Sequence, residues 1–348
     1  MRILAILGLL SLSLHAQTVS LTPLGQVTIP HMAMFEHAPI GGLSGLTYQA
    51  SSNSFLAISD DRSFKAPARF YQFTVKLDHG RLVMVAPESQ QTLTKDGKKY
   101  LPDHIDAEGI ALNHQQLFIS SEGDVAKGRP PFIGQYNLKG QWQHNLPLPA
   151  QFMPKGHFGV RNNLAFESLT ITPDGHTLYT ATESALMQDG PEASSLAGSP
   201  CRILTYNLKN QQPQAQYLYP LAKAPNGIYA MKGLSDMEAL DNQGHLLAIE
   251  RGFSVPGGAD IALYLVDIQG ATDIRHLQSI EDARTAIVPV KKTLIARFKD
   301  LGIPEDNAEG LALGPRLADG SRLLLVVSDD NFSSRQHTYF WAFALHLH

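Results

Sequence analysis

Short apolar segments separated by turn residues follow one another along almost the entire chain. Typical segments are Ser54 to Ser59, Gln116 to Ser120 and His245 to Ile249, each rich in Leu, Ile or Phe and bounded by polar or turn-forming residues. Segments of this length and composition are typical of β-strands. No long segment keeps the 3.6-residue period of an amphipathic helix. The pattern therefore predicts an all-β protein.

One phrase of polar and apolar residues recurs five times. In each copy a small or acidic turn precedes an apolar strand, and after a turn a second strand runs into another polar or acidic cluster. The copies return at intervals of roughly 60–70 residues, and the remainder of the mature chain makes a fifth interval of similar size. They begin at Leu43, Asp106, Phe166, Asp236 and Asn307 and end at Arg62, Asp124, Glu183, Arg251 and Asn331. A repeat that closes on itself indicates a β-propeller.

Each copy, with the strands that follow it, accounts for one four-stranded blade. The fifth copy supplies only three strands before the chain ends, and the alternating segment Val19 to Ile29 offers the missing fourth strand. Pairing of the first and last segments would close the ring and remove its exposed edges. We therefore predict one propeller of five four-stranded blades, with six blades as the alternative. Met187 to Pro200 and Arg251 to Asp260, rich in Gly, Pro, Ser and Ala, are predicted to be surface loops.

The N-terminus has the composition of an export signal. Arg2 precedes an apolar run that ends at Leu14, and Ala16 completes a small-residue cleavage site. The run is shorter than the roughly 20 apolar residues that span a bilayer. We predict that residues 1–16 are removed and that residues 17–348 form the propeller domain. The mature protein is then exported, either periplasmic or secreted, and is not inserted in a membrane.

Composition narrows the choice of partner and of stabilising chemistry. The chain has 28 Lys and Arg against 32 Asp and Glu, a net charge of −4, which argues against nucleic acid or an anionic membrane surface as a partner. Its one cysteine, Cys201, cannot form an intramolecular disulfide. Packing, ring closure or a metal must therefore hold the fold together. The sequence leaves the oligomeric state open.

Acidic residues stand at both ends of the first hairpin of the repeat. In an antiparallel hairpin the start of the first strand and the end of the second lie at the same edge. We therefore expect these side chains to meet at one mouth of the central channel. They are Asp60, Asp61, Asp106, Glu108, Glu122, Asp124, Glu167, Glu183, Asp236, Glu238, Glu250, Asp306, Glu309, Asp329 and Asp330.

Converging carboxylates repel one another unless cations lie among them. Oxygen ligands without thiolates suit Ca²⁺ better than Zn²⁺. The alternative is that these residues cap turns by accepting backbone amide hydrogen bonds. The candidate metal ligands are Asp60, Asp61, Asp106, Glu238, Glu250, Asp329 and Asp330, and the candidate catalytic carboxylates are Glu108, Glu167 and Glu309.

Basic residues share the predicted mouth. Arg62, Arg161 and Arg251 carry guanidinium groups, which bind phosphate or carboxylate in bidentate fashion, and we assign them to an anionic small-molecule ester substrate. For Arg62 and Arg251 the alternative is neutralisation of the neighbouring acids. His104, two residues before Asp106, is a candidate general acid or base.

Several motifs share a pattern with a known family. They are Asn162 to Leu169, Thr172 to Gly175, Asp106 to Gly109, Glu250 to Phe253 and Ser328 to Phe332. Together they resemble the phytase-like family described as having esterase-like activity, over nearly all of the mature chain. The resemblance implies a secreted bacterial propeller whose Glu and Asp residues act in a phosphoesterase or phosphodiesterase. Ser44, Ser168 and Ala239 depart from the family's pattern and weaken the expectation of a five-fold ring of ligands.

Two functional classes follow from these expectations. The first is an exported hydrolase of phosphate esters in which Ca²⁺ held by carboxylates polarises a phosphoryl oxygen and activates water. The second is a non-catalytic propeller that captures a ligand or a partner at the same mouth and holds a structural metal.

Overall fold

The computed structural model describes residues 19–347 and contains five four-stranded antiparallel sheets. The innermost strands of the five sheets contact one another in sequence order and close into a ring, so the sheets are the blades of one propeller. This confirms the all-β fold and the choice of five blades over six.

The strands of each blade are given from the innermost to the outermost. Blade 1 consists of Leu43–Gln49, Ser54–Ser59, Arg69–Asp78 and Arg81–Thr92. Blade 2 consists of Ala107–Asn113, Gln116–Ser121, Phe132–Asn137 and Trp142–Asn145. Blade 3 consists of Phe166–Ile171, Thr177–Thr182, Ser199–Asn207 and Gln212–Leu221. Blade 4 consists of Ile228–Ala239, His245–Val255, Gly258–Asp267 and Lys291–Arg297. Blade 5 consists of Ala308–Arg316, Arg322–Ser328, Thr338–Leu347 and Val19–Ile29.

Short elements lie in the connections between blades and between strands of one blade. Two-residue strands pair Met34–Phe35 with Ala38–Pro39 and Thr94–Lys95 with Lys98–Lys99. The 3-10 turns are Val125–Lys127, Ala150–Phe152, Ile280–Asp282 and Phe298–Leu301. Between residues 19 and 347 no helix is long and apolar enough to cross a membrane. The predicted export signal, residues 1–16, lies outside the described residues.

The first and last strands of the described chain close the ring. Val19–Ile29 pairs antiparallel with Thr338–Leu347, with one register shift between Pro23 and Gly25. The backbone groups on the outer side of Thr338–Leu347 are therefore paired within the chain. This confirms the predicted closure of blade 5 by the N-terminal strand.

Apolar side chains fill the seams between neighbouring blades. At the seam between blades 5 and 1, the rings of Phe73 and Phe340 pack with their centroids 5.2 Å apart. The same cluster includes Ile29 of the N-terminal strand and Leu325 of blade 5. Ring closure thus has a hydrophobic component as well as a hydrogen-bonded one.

The innermost strands approach one another so closely that side chains are excluded at their contact points. A Cβ added to Gly45 would lie 2.5 Å from the Glu108 carbonyl oxygen, and one added to Gly109 would lie 2.7 Å from the Glu167 carbonyl oxygen. A Cβ on Gly310 would lie 2.9 Å from the Gly45 Cα atom. Glycine is needed at these positions for close backbone approach.

The prediction of a surface loop at Arg251 to Asp260 is wrong. The strands His245–Val255 and Gly258–Asp267 stay paired as far as Ser254 opposite Gly258, and Ile228–Ala239 flanks the same hairpin. Ladder hydrogen bonds to both neighbours hold this segment as strand despite its loop-like composition. The other predicted loop, Met187 to Pro200, has no strand before Ser199.

Removal of one ring at the closing seam tests this account of the fold. Phe340→Ala should lower the free energy of unfolding by about 3–5 kcal/mol, because the buried ring leaves a cavity against Phe73. Phe158 is 53% exposed, and Phe158→Ala should change stability by about 0.5 kcal/mol or less. Urea denaturation of both variants gives the comparison. Equal stability of the two variants would contradict a packed closing seam.

Candidate active site

A bulge next to one mouth of the channel redirects one side chain from every innermost strand. In each blade the pairing of the first two strands shifts register at the same place, and such bulges re-aim side chains. We call the residues at this place the inner ring. They are Ser44, Glu108, Glu167, Ser235 and Glu309.

A second set of residues lies at the end of the second strand of each blade. On that strand, the residue paired with the one before the bulge is Ser59, Ser121, Thr182, Glu250 or Ser328, in blades 1 to 5. The next residue along the chain lies at the mouth in every blade, and we call these residues the outer ring. They are Asp60, Glu122, Glu183, Arg251 and Asp329.

Two trios of carboxylates lie close together within these rings. In the first, oxygens of Asp106, Glu108 and Glu122 are within 4.8 Å of one another. In the second, oxygens of Glu108, Glu167 and Glu309 are within the same distance. Glu108 belongs to both. All the members are buried. Because the two trios share Glu108, they form one continuous acidic cluster at the mouth.

The carboxyl groups of the mouth titrate abnormally because they are buried among like charges. Burial raises the pKa of Asp106 to about 6 and that of Glu183 to about 7. Burial, followed by repulsion from neighbouring carboxylates, also raises the pKa well above its usual value at five further positions. These are Asp60, Glu108, Glu122, Glu167 and Asp329.

Glu167 has a carboxylate oxygen that nothing in the described structure compensates by a hydrogen bond. Its Oε2 atom is buried and has no hydrogen-bond partner between residues 19 and 347. By contrast, Oε1 of Glu122 accepts the Ala165 amide, which lowers the pKa of Glu122 in part. An unpartnered buried carboxylate oxygen is costly unless a cation or a donor is supplied.

In the outer ring, blade 4 has Arg251 at the position where each of the other blades has a carboxylate. Its Nη2 atom donates to Glu183 Oε1 at 2.8 Å, and its Nη1 atom lies 3.3 Å from Glu309 Oε1 and 2.7 Å from Asn307 Oδ1. The surrounding carboxylates hold the pKa of Arg251 above its usual range. Its buried Nε atom has no partner among the described residues, so one donor is left over.

Arg62 is the second cation at the mouth. Its Nε atom donates to Asp106 Oδ1 at 2.6 Å, its Nη2 atom lies 2.5 Å from Asp106 Oδ2, and Nη2 also donates to Asn163 Oδ1. The backbone of Arg62 has a φ of 51°, which directs the side chain from a tight turn toward blade 2. The contacts of Arg62 and Arg251 therefore agree with the alternative in which they neutralise neighbouring acids. About a third of the Arg62 side chain is nevertheless exposed.

The sequence motif of the fourth copy stands three residues beyond the structural bulge, so the expectation that Glu238 corresponds to Glu108 is wrong. Leu234 pairs with Glu250, so Ser235 occupies the bulge, and Glu238 lies deeper on the same strand. The sequence Asp236-Met237-Glu238 imitates the Asp106 to Glu108 element, and only strand pairing distinguishes the two registers. The inner ring consequently contains three glutamates and two serines.

The two serines bind the neighbouring blade instead of adding charge. Ser44 Oγ donates to the carbonyl oxygens of Ala107 and Glu108 at 3.1 and 3.0 Å. Ser235 Oγ donates to the Ala308 carbonyl oxygen at 3.0 Å. Their hydroxyl groups thus fasten inner strands together, and the acidic trios are confined to blades 2, 3 and 5.

The structure places Glu250 in the seam between blades 3 and 4, apart from the trios. Its Oε1 atom accepts the Tyr219 hydroxyl at 3.0 Å and the Lys292 ammonium, and its Oε2 atom lies 3.7 Å from Lys232 Nζ. Neighbouring residues on a strand point to opposite faces. Arg251 therefore faces the mouth and Glu250 faces away.

Asp61 and Asp330 stabilise loops beside the mouth. Asp61 forms a buried ion pair with Arg69 at 2.6 Å and accepts the amides of Lys65 and Ala66. Asp330 Oδ1 accepts the Gly42 amide at 3.0 Å and the Phe332 amide at 3.1 Å. Neither aspartate belongs to a trio, and the turn-capping alternative describes their contacts.

Glu238 lies toward the opposite end of the channel. It accepts the Thr170 hydroxyl at 2.8 Å and the Leu313 amide at 2.9 Å, and burial raises its pKa to about 7. The cavity it lines, about 460 Å³, also includes Tyr48 and Arg322 and is bordered by the turns after the innermost strands. Glu238 therefore lies three residues beyond the bulge residue Ser235, on the side of the channel away from the trios.

Arg161 and His104 also stand apart from the trios. Arg161 donates to the carbonyl oxygens of Ala185 and Gly190 at 3.1 and 2.7 Å, which anchors the loop of blade 3. His104 is exposed, and its Nε2 atom lies 3.5 Å from Arg129 Nη2. The residues that the structure does bring together from the sequence-based assignments are Asp60, Arg62, Asp106, Glu108, Glu167, Arg251, Glu309 and Asp329.

Asn307 was missed as a site residue. Its side-chain Nδ2 atom donates to Glu309 Oε1 at 2.8 Å and to Asp329 Oδ2 at 3.3 Å. Its side-chain Oδ1 atom accepts from Arg251 Nη1. Asn307 occupies the place in blade 5 that Asp106 occupies in blade 2, because both precede the innermost strand. That correspondence in the repeat was the available signal.

The match to known proteins agrees with the sequence motifs. Residues 38–332 match the family model "Phytase-like: Esterase-like activity of phytase". A protein of Arthroderma benhamiae named "Uncharacterized secreted protein" is 23% identical over 145 residues, which cover 34% of this chain and 27% of that protein. The match thus spans about a quarter of the fungal protein.

The solved structures that are similar to this chain have low sequence identity to it. The Dos1 propeller covers 88% of this chain and 69% of its own, with 7% identity and a TM-score of 0.36. A hypothetical protein from Leishmania major covers 89% and 86%, with 10% identity and a TM-score of 0.41. The Cps50 (Swd1) propeller domain of Myceliophteria thermophila covers 91% and 99%, with 11% identity and a TM-score of 0.37.

The raised pKa values at the mouth predict how stability depends on pH. Because the folded chain holds protons on these carboxyls that the unfolded chain has released, stability without metal should fall as pH rises from about 4 through 7. The cited pKa values of about 6 and about 7 for Asp106 and Glu183 define the upper part of this window. We expect Glu167→Gln in EDTA to be more stable than the unmodified protein at pH 7.5, by about 1–3 kcal/mol, because it removes a buried carboxyl group whose raised pKa destabilises the folded state at that pH.

The measurement is urea denaturation in EDTA at pH 5 and pH 7.5. Glu281→Gln, at an exposed acid outside the mouth, is the control and should follow the unmodified protein at both pH values. A stability of Glu167→Gln that is lower than the control at pH 7.5 would contradict the account of an uncompensated mouth.

Proposed function

The chain belongs to the phytase-like family, and from this premise we propose that it is an exported, Ca²⁺-dependent hydrolase of phosphate esters that acts at the acidic mouth. The observation that carries the proposal is the pair of carboxylate trios that share Glu108, with two arginines beside them. The substrate is proposed to be an anionic small molecule.

The residues present suit a hard divalent cation. Both trios offer carboxylate oxygens alone, and neither includes a thiolate or an imidazole. Such donors suit Ca²⁺, which accepts six to eight oxygens in flexible geometry. The buried Oε2 of Glu167, which has no protein donor among the described residues, is an atom that such a cation would satisfy.

We assign one cation to Asp106, Glu108 and Glu122 and a second to Glu108, Glu167 and Glu309. Bound Ca²⁺ would neutralise the carboxylates and polarise a phosphoryl oxygen. Asp60, Glu183 and Asp329 surround these trios and would add to the negative field that holds the cations. Blades 2, 3 and 5 would thus provide the ligands.

The arginines are assigned to the phosphate group. Arg251 lies against Glu309 of the second trio, and Arg62 lies against Asp106 of the first. Guanidinium groups bind phosphate oxygens in bidentate fashion and counter charge that develops on them during hydrolysis. The unpartnered Nε donor of Arg251 is available for this role in the described structure.

A non-catalytic propeller that binds an anionic ligand through a structural metal is the second candidate. The hydroxyl groups of the inner ring favour it, since Ser44 and Ser235 donate to backbone carbonyls and are not presented as nucleophiles. The two candidates differ in turnover, while both require cation binding at the trios.

Cation binding should depend on Glu108 and not on Glu238. Added Ca²⁺ should raise the midpoint of thermal unfolding of the unmodified protein in a concentration-dependent manner, because it binds the folded state alone. Glu108→Gln removes the ligand shared by both trios and should abolish most of this rise. Glu238→Gln changes a partly buried glutamate toward the other end of the channel and should retain it. Loss in both variants alike would contradict the assignment of the trios.

Hydrolysis should require the same residues. We expect Ca²⁺-dependent hydrolysis of p-nitrophenyl phosphate or bis-p-nitrophenyl phosphate, suppressed by EDTA and by Glu108→Gln or Glu309→Gln. Hydrolysis of p-nitrophenyl acetate alone would instead indicate a carboxylic esterase. Ca²⁺-dependent stabilisation with no turnover of any of the three esters would favour the non-catalytic propeller.

Replacement of Arg251 should separate anion binding from cation binding. Arg251→Gln should reduce kcat/KM for the phosphate ester by about 10- to 100-fold, the range for a lost charge-assisted hydrogen bond. It should strengthen Ca²⁺ binding measured by calorimetry, because a positive charge next to Glu183 and Glu309 is removed. Arg161→Gln, away from the trios, should change neither quantity. Weaker Ca²⁺ binding in Arg251→Gln would contradict the proposed division of roles.

A further inference from the structure

A cavity of about 640 Å³ opens beside the acidic mouth, between blades 4 and 5. Arg251, Glu183 and Asn307, which belong to the mouth, form part of its lining. Arg251 therefore links the cavity to the second trio, because its Nη1 atom lies 3.3 Å from Glu309 Oε1. A ligand in this cavity would have one end at Arg251, the residue proposed to bind the phosphate group.

The wall from blade 4 is apolar and exposed. Met231 and Phe253 pair across the first two strands of the blade and remain 48% and 42% exposed. Both strands extend beyond the mouth, and Ile228, Tyr229 and Val255 are exposed on the same extension. Exposed apolar side chains that are grouped beside a charged site are typical of a ligand-binding or interaction surface.

The wall from blade 5 adds aromatic surface and cations. The rings of His337 and Tyr339 stack with their centroids 5.1 Å apart, and His337 Nδ1 lies 3.2 Å from Asp306 Oδ2. Arg335 lines the same wall, and within residues 19–347 its guanidinium group has no hydrogen-bond or ion-pair partner.

The acids that line the cavity are already engaged. Glu305 Oε1 accepts the Ile261 amide at 2.9 Å, and Asp306 Oδ2 accepts the His337 amide at 3.0 Å. The uncommitted groups are therefore the Arg335 guanidinium, the Arg251 Nε donor and the apolar side chains of Met231 and Phe253.

These properties define a ligand with one anionic group and one flat apolar group. A polyanion such as inositol hexakisphosphate presents no apolar surface to Met231 and Phe253. A volume of about 640 Å³ lies within the 300–1,000 Å³ usual for small-molecule sites.

We propose that this cavity is the alcohol-binding pocket of the site, and that the substrates are phosphate esters of aromatic alcohols. This inference rests on the proposed function for its catalytic consequence. The aromatic group lies against Phe253, Met231 and Tyr339, while Arg251 and Arg335 receive the phosphate. Blade 4 then selects the alcohol, and blades 2, 3 and 5 hold the cations.

Equilibrium binding tests the pocket without any need for turnover. Phenylphosphonate and methylphosphonate carry the same anion with and without an aromatic ring, and both resist hydrolysis. In Ca²⁺-containing buffer, calorimetry should show that phenylphosphonate binds at least tenfold more tightly. Phe253→Ala should remove most of this preference, and Phe158→Ala, at an exposed phenylalanine outside the cavity, should leave it unchanged.

Arg335 should contribute to the anion and not to the ring. Arg335→Gln should weaken both phosphonates by a similar factor, about tenfold, and Arg81→Gln on the outermost strand of blade 1 should weaken neither. Thermal unfolding of each variant verifies that the exposed substitutions leave the fold intact.

The outcomes separate this inference from the proposed hydrolase. Equal binding of the two phosphonates, or a preference that survives Phe253→Ala, overturns the pocket even when Ca²⁺-dependent hydrolysis is present. Tighter binding of inositol hexakisphosphate than of phenylphosphonate overturns it as well. A ring-dependent preference lost in Phe253→Ala supports the pocket even when no ester is hydrolysed, in which case the hydrolase alone fails.

Discussion

The close approach of five innermost strands around one axis is the constraint on which the rest of the structure depends. At Gly45, Gly109 and Gly310 the backbone of one blade meets the backbone of the next, at distances that leave no room for a Cβ atom. Residues beside these glycines are consequently brought near the axis. The bulge at this point turns their side chains to the mouth, and any acid placed there joins a shared buried cluster.

Electrostatics then decide what such a cluster can be. Burial and mutual repulsion raise the pKa values of Glu108, Glu122 and Glu167. Ionisation of these carboxyl groups near neutral pH therefore destabilises the folded state. Two of the five positions in the inner ring are serines, which bind neighbouring backbone and limit the repulsion. Arg251 relieves it further from the outer ring. A mouth that still contains an unpartnered carboxylate oxygen is suited to cations of the kind proposed above.

Blade 4 departs from the pattern of the other blades in three connected ways. It places Ser235 in the inner ring and Arg251 in the outer ring, and its first hairpin extends beyond the mouth as an apolar wall. The break in the five-fold repeat therefore produces the asymmetry that an active site requires. Cation ligands lie on one side, and an anion-binding guanidinium with an adjacent apolar cavity lies on the other.

The sequence by itself determined the number of blades, the four strands of each blade as a count and the closure by Val19–Ile29, because hydrophobic alternation and turn residues are local signals that repeat. The bounds of the first two strands of blade 4 were decided by pairing and not by these signals. It also identified Glu108, Glu167, Glu309, Arg62 and Arg251 as mouth residues. It could not distinguish Ser235 from Glu238 at the bulge, because a shift in strand register leaves the local composition unchanged and moves every side chain. Nor could it show that Asp61, Glu250 and Arg161 are engaged elsewhere, since their partners Arg69, Lys292 and the Ala185 carbonyl are chosen by packing between segments. Which acids share the mouth was therefore decided only by the tertiary structure.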